Sequence, residues 1–130
     1  MRGQTVPLIL IPRFTGLVGN QDFTTPPLEV TPYALAALTL WRGPLVAQVS
    51  TTPTYAAFLE VSHDADTWFT FPPGPAGASG FDPGGSTTVG GSLQMTVNFL
   101  YRWFRVRIEL RGTSVGVTTY VTGTLEYRVE

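Results

Sequence analysis

Residues 102–111 read RWFRVRIELR, and their alternation decides the fold. Phe104, Val106, Ile108 and Leu110 fall on one side of an extended chain, while Arg105, Arg107, Glu109 and Arg111 fall on the other, without exception. Successive side chains of a strand point to opposite faces. This is therefore a strand with one face buried and one in water, the pattern of an antiparallel sheet. Working backward, residues 93–100 alternate Leu93, Met95, Val97 and Phe99 with Gln94, Thr96, Asn98 and Leu100. Working forward, residues 112–116 (GTSVG) make a turn. Residues 117–129 then alternate Val117, Thr119, Val121, Gly123 and Leu125 with Thr118, Tyr120, Thr122, Thr124 and Glu126. That last run exceeds the usual five or six residues of a strand, so Gly123 is expected to bend or bulge it.

The middle of the chain supplies further strands. YALAALTLW from Tyr33 to Trp41 lies between Pro32 and Pro44, and its second half alternates as a strand does. Residues 45–50 continue as a short β-type segment. Residues 55–62 (YAAFLEVS) place Ala57, Leu59 and Val61 on one face and Phe58, Glu60 and Ser62 on the other. A polar turn with His63, Asp64 and Asp66 follows, and then TWFTF, so the two segments read as a hairpin. Trp68, just past that turn, is expected to pack across the sheet as core.

Residues 1–31 differ in texture, with Pro7, Pro12, Pro26 and Pro27 among short apolar pieces. Proline at that density forbids a helix and confines any strand to an edge, so this part is expected to be an extended arm or edge segment. Residues 72–92 are dominated by Gly, Pro, Ala and Ser and read as a flexible loop whose one large apolar side chain is Phe81. Phe81 either anchors a partner or packs back on the domain. The expected fold is all-β: an antiparallel β-sandwich of the jelly-roll or immunoglobulin-like kind in 32–130, preceded by a Pro-rich N-terminal arm, with a closed barrel as the alternative.

Composition narrows the function. At 130 residues the chain fits one hydrophobic core, and only 13% of it is charged, about half the usual share. Part of so uncharged a surface is expected to be covered by further copies or by a partner. The net charge of −1 supplies no field that would draw nucleic acid or an anionic membrane. All eight cations are Arg, a residue suited to interfaces. No cysteine is present, which excludes thiolate metal sites and cysteine nucleophiles. The apolar run at 6–11 is too short for a signal peptide or a membrane span, so a soluble protein is expected.

Catalytic machinery is hard to assemble from these residues. The only imidazole, His63, lies in a hairpin turn with no nucleophile elbow nearby, and no catalytic residue is assigned. Glu60, Asp64 and Asp66 could hold Ca²⁺, but turn formation accounts for the two aspartates without an ion, so no metal or cofactor is expected. Arg102, Arg105, Arg107 and Arg111 beside Trp103 could contact single-stranded nucleic acid. Glu109 interrupts that row, and an intersubunit sheet face is the better reading.

Residues 59–68, LEVSHDADTW, resemble a short pattern, Ser-x-Asp-x-x-x-Trp after an apolar strand, at Ser62, Asp64 and Trp68. That pattern recurs in β-sandwich proteins, including discoidin-like adhesive domains and small structural proteins of tailed bacteriophages. YRWFRVRIELRG and the Thr- and Val-rich run after it look like the second half of such phage proteins. A Lys-free, Cys-free β domain with a Pro-rich arm is similar to phage head decoration or cement proteins. The resemblance implies a non-enzymatic virion protein, assembled in the host cytoplasm, that forms homo-oligomers and binds the major capsid protein or other virion proteins. Its expected contact residues are Val6, Leu8, Ile9, Ile11, Arg13 and Phe14 of the arm, Phe81, and Arg105, Arg107 and Arg111. The competing expectation is a carbohydrate-binding or adhesive module, with Trp41, Trp103 and Tyr120 stacking on sugars.

Overall fold

The alternating segments become strands in the computed structural model, which describes residues 3–48, 52–73 and 79–129. Among these, the strands are β1 (Thr5–Val18), β2 (Gln21–Thr24), β3 (Leu28–Glu29), β4 (Tyr33–Arg42), β5 (Thr54–Ser62), β6 (Phe69–Phe71), β7 (Gly91–Asn98), β8 (Trp103–Arg111) and β9 (Gly116–Tyr127). Two antiparallel sheets result. One is ordered β1-β9-β4-β7 and is called sheet A here; the other, sheet B, is ordered β2-β8-β5-β6, with β3 also paired to β8.

β2 and β3 lie in succession along one edge of β8, Phe23 opposite Ile108 and Leu28 opposite Phe104. Pro26 and Pro27 interrupt them, because proline has no N–H to give to a ladder. Thr25 fills part of the gap: its N–H donates to the Val106 carbonyl, and its hydroxyl accepts from the Val106 N–H at 2.9 Å. The pairing follows one scheme throughout. β1 pairs with β9, β2 and β3 with β8, β4 with β7, and β5 with β6, as in a single long antiparallel hairpin. Pairing of β4 with β9 and of β5 with β8 folds that hairpin over into two sheets.

The core lies between the sheets. Phe104, Val106, Ile108 and Leu110 are wholly buried, as their alternation requires, and each contributes roughly 1.5–3 kcal/mol by leaving water. Ala36, Leu38 and Leu40 of β4 and Val121 and Leu125 of β9 face them from sheet A.

The N-terminal stretch is the edge strand of sheet A. β1 runs along β9 from Thr5 opposite Glu126 to Val18 opposite Gly116, with irregularities between Ile9 and Ile11 and between Ile11 and Thr15. The first bulge changes which side chains face inward, from Leu8 before it to Ile11 and Leu17 after it; one extra residue exchanges the two faces of a strand. Leu8 and Ile11, expected as partner contacts, therefore lie in the protein's own core, and Val6 packs against it.

Gly123 does not bulge β9. It pairs with Leu8 on one side and Leu38 on the other in unbroken local register. A Cβ there would collide with the Ala37 carbonyl oxygen, so the glycine permits a close approach of two strands. Of residues 45–50, the described part contributes the single bridge between Val46 and Gly116, and residues 49–50 lie outside the described residues.

Candidate interaction surface

In the outer face of sheet A, the second irregularity of β1 sets residues 12–14 against Tyr120 alone, because Ile11 pairs with Val121 and Thr15 with Thr119. The Thr15 hydroxyl closes the bulge by donating to the Pro12 carbonyl at 2.6 Å. Phe14 adopts φ 63°, a conformation that costs a residue with a Cβ roughly 1–2 kcal/mol. Bulges re-aim side chains, and this one turns Phe14 onto an aromatic group. Phe14 meets Trp41 and Tyr120 edge-on at 5.5 and 6.0 Å, while Trp41 and Tyr120 stack at 5.3 Å with planes 18° apart. The Arg13 guanidinium lies 5.3 Å over Tyr120. Phe14 nevertheless remains 67% exposed.

Around this group the face is almost without charge. Thr118, Thr122 and Thr124 of β9, Ala37 and Thr39 of β4, and Ser92, Gln94, Thr96 and Asn98 of β7 cover it. Among the described residues of the four strands, only Arg13 and Glu126 bring charge to it. Ile9, at 65% exposed, lies across from Thr122, and Val18 and Val46 are exposed beside Gly116. Two shallow depressions flank the backbone at Gly123, one bordered by Gln94, Met95 and Thr96 and the other by Pro7, Ile9 and Arg13.

The outer face of sheet B is the reverse. Glu60 accepts from Arg105 at 2.7 Å and from Arg107 at 3.2 Å; Arg107 also pairs with Glu109, and Arg111 with Asp22 at 2.6 Å. Arg105 stacks on Trp68 at 4.0 Å and Arg107 on Phe58 at 4.2 Å. Burial would disfavour charge on the Arg107 guanidinium, but its hydrogen bonds to Glu109 and Glu60 outweigh this and push its pKa up. Arg105, Arg107 and Arg111, expected to contact a partner, are engaged with carboxylates of their own sheet. Trp68 is half-exposed under a guanidinium and does not pack as core. Trp103 belongs to this face too, with Arg102 over its ring at 5.6 Å, so the three aromatics of the sugar-binding expectation are divided between opposite sides of the sandwich.

The turn residues also find partners within the chain. Asp64 accepts from the amides of Asp66 and Thr67, both at 2.9 Å, and from the Ser62 hydroxyl; these bonds hold its carboxyl below the usual range. Glu60 takes its hydrogen bonds from Arg105 and Arg107. His63 is exposed, with its ring 4.6 Å from Tyr101.

A buried polar cluster at one end of the sandwich was not foreseen. Arg42 is 1% exposed and grips Asp82 with two bonds of 2.6 and 3.0 Å, while donating to the Ser86 and Gly43 carbonyls. Beside it the Tyr55 hydroxyl meets Thr119 Oγ1 at 2.9 Å. Asp82 belongs to the Gly/Pro-rich segment, which is pinned here and at Phe81. Phe81 forms a bridge with Ala57 and packs back on the core. The only sequence signal was Arg42 itself, a charge at an inward position of a strand otherwise filled by Ala36, Leu38 and Leu40. Compared with known proteins, the chain matches no family model and is significantly similar to no curated protein.

Proposed function

We propose that this chain is a non-enzymatic jelly-roll module that works by assembly, as a virion decoration protein does, with the outer face of sheet A as its contact surface. Segregation of charge carries the reading: among the described residues the exterior ion pairs lie on sheet B, while the outer face of sheet A is broad and nearly uncharged, with Ile9, Phe14 and Val18 exposed. An interface core is depleted in charge and enriched in aromatics. The finer fold assignment rests on the pairing scheme. Counting β2 and β3 as one interrupted strand gives a rolled antiparallel hairpin of eight strands, the architecture common in capsid and lectin domains.

Such a face would bind across junctions of capsid subunits and add many modest contacts. The test is co-sedimentation with assembled shells from the same source. Saturable binding that weakens when Phe14 or Ile9 becomes Ser is the expected result; failure of the unaltered protein to sediment with shells overturns the reading.

A lectin-like role draws on the Trp41–Tyr120 pair. It is the weaker alternative, because those rings are engaged with each other, with Phe14 and with Arg13. A glycan-array signal abolished by Trp41→Ala would favour it.

A further inference from the structure

We propose that two copies of this chain join through β7, edge to edge and antiparallel, so that their A sheets become one continuous sheet. The open edges of the sandwich are not alike. β1 carries Pro7, Pro12 and two irregularities; the β2–β3 edge is broken by Pro26 and Pro27; β6 spans only Phe69–Phe71 and runs into Pro72 and Pro73. Those are the usual protections against unwanted pairing. β7, GSLQMTVN, has no proline, no charge and no bulge, and it pairs with β4 in unbroken register from Leu35 opposite Asn98 to Arg42 opposite Gly91. Among the described residues, no strand lies on its other side.

The free hydrogen-bonding groups can be identified. The Phe99 N–H donates to the Ala34 carbonyl in the same register, so odd-numbered residues of β7 point their backbone groups at β4. Even-numbered residues, Ser92, Gln94, Thr96 and Asn98, therefore turn theirs to the open edge.

A twofold axis at Met95 makes this strand its own complement. Gln94 then lies opposite Thr96 of the second copy, and Ser92 opposite Asn98, on the outer face. On the inner face Leu93 lies opposite Val97, and Met95 opposite itself. Every pairing matches polar with polar or apolar with apolar. The pairs formed by even-numbered residues are also those whose free backbone groups face each other, giving on the order of eight new hydrogen bonds. With no charge on the strand, no like-charge contact opposes self-association, and an isologous twofold contact is the commonest form of closed assembly. The half-buried Leu93 and Met95 would gain cover. The inference does not depend on the virion reading, although the dimer would present both uncharged faces on the same side.

Light scattering and sedimentation equilibrium test it on the full chain. The unaltered protein is expected to have the mass of two chains. The double variant Gln94→Lys with Thr96→Lys sets lysines opposite lysines twice and should raise the dissociation constant on the order of 100-fold. Gln94→Lys with Thr96→Glu sets Lys opposite Glu and should restore the dimer. Thr96→Pro, which removes an N–H that β4 does not use, should give a folded monomer by circular dichroism. A protein that is monomeric throughout, or a dimer that persists in the Lys–Lys and Pro variants, overturns the proposal. Phe14→Ser should leave the dimer intact, which separates this contact from the shell-binding face.

Discussion

Arg42 shows what a single residue costs and gains in a β-sandwich. A buried guanidinium is tolerated only when its donors are met, and here Asp82, Ser86 and Gly43 meet them while tying a glycine-rich segment to the end of β4. Asp82→Ala should lower stability by about 2–3 kcal/mol, because it leaves that charge buried without its counter-ion; the urea midpoint measures it. Tyr55 next to it makes a pH prediction. Burial, the largest cause, pushes its hydroxyl up to about 12, against ~10 in an unfolded chain. The fold thus holds the neutral phenol. Its contribution, about 2–3 kcal/mol, is intact below the unfolded value and is lost as pH rises through about 12. Melting temperature should fall over that range, and Tyr55→Phe should flatten the fall. Phe14 carries the opposite kind of tension. Phe14→Gly relieves a positive φ worth roughly 1–2 kcal/mol and forfeits aromatic contacts of similar size, so stability should change by less than about 1 kcal/mol. Shell binding should nevertheless drop.

Strands were legible wherever period-two alternation ran unbroken. Phe104, Val106, Ile108 and Leu110 fixed β8, and the same rule placed β4, β7 and the β5–β6 hairpin. β1 reads in the sequence only as an arm or edge segment, because its first bulge shifts the inward set from Leu8 to Ile11 and so erases the alternation that announces a strand. Gly123 is ambiguous in the sequence for a related reason: a glycine within a strand can mark a bulge or a close approach, and only the position of the Ala37 carbonyl separates the two. Gly123→Ala should therefore destabilise by more than about 2 kcal/mol, as strain at a packed backbone does, and thermal unfolding will show it. The bulge at residues 12–14 lay beyond sequence reasoning altogether. Nothing local says that three residues will stand opposite one tyrosine, so the sequence groups Trp41 with Tyr120 but gives no sign that Phe14 joins them.

At the scale of the molecule, charge is sorted by sheet. Glu60, 6% exposed, serves both Arg105 and Arg107, and Glu60→Ala should cost about 2–3 kcal/mol, chiefly by taking from Arg105 its carboxylate, since Arg107 keeps Glu109 and Asp22. Contacts made by the uncharged face should in contrast hardly change when ionic strength rises roughly tenfold, whereas a contact through sheet B would weaken; titrations at two salt concentrations distinguish them. The pairing of β1 with β9 also reaches into the life of the chain before it folds. A ribosome delivers residues in order, so β1 emerges well before its partner β9 and must wait for it with Leu8, Ile11 and Leu17 uncovered in the meantime. Topologies dominated by distant pairings fold in milliseconds to seconds rather than microseconds, and a nascent chain stalled before β9 would expose that apolar strand to any neighbour. Molecular chaperones would find their target in this segment, and Pro7 and Pro12, which have no N–H to give, make the waiting strand a poorer template for a wrong partner.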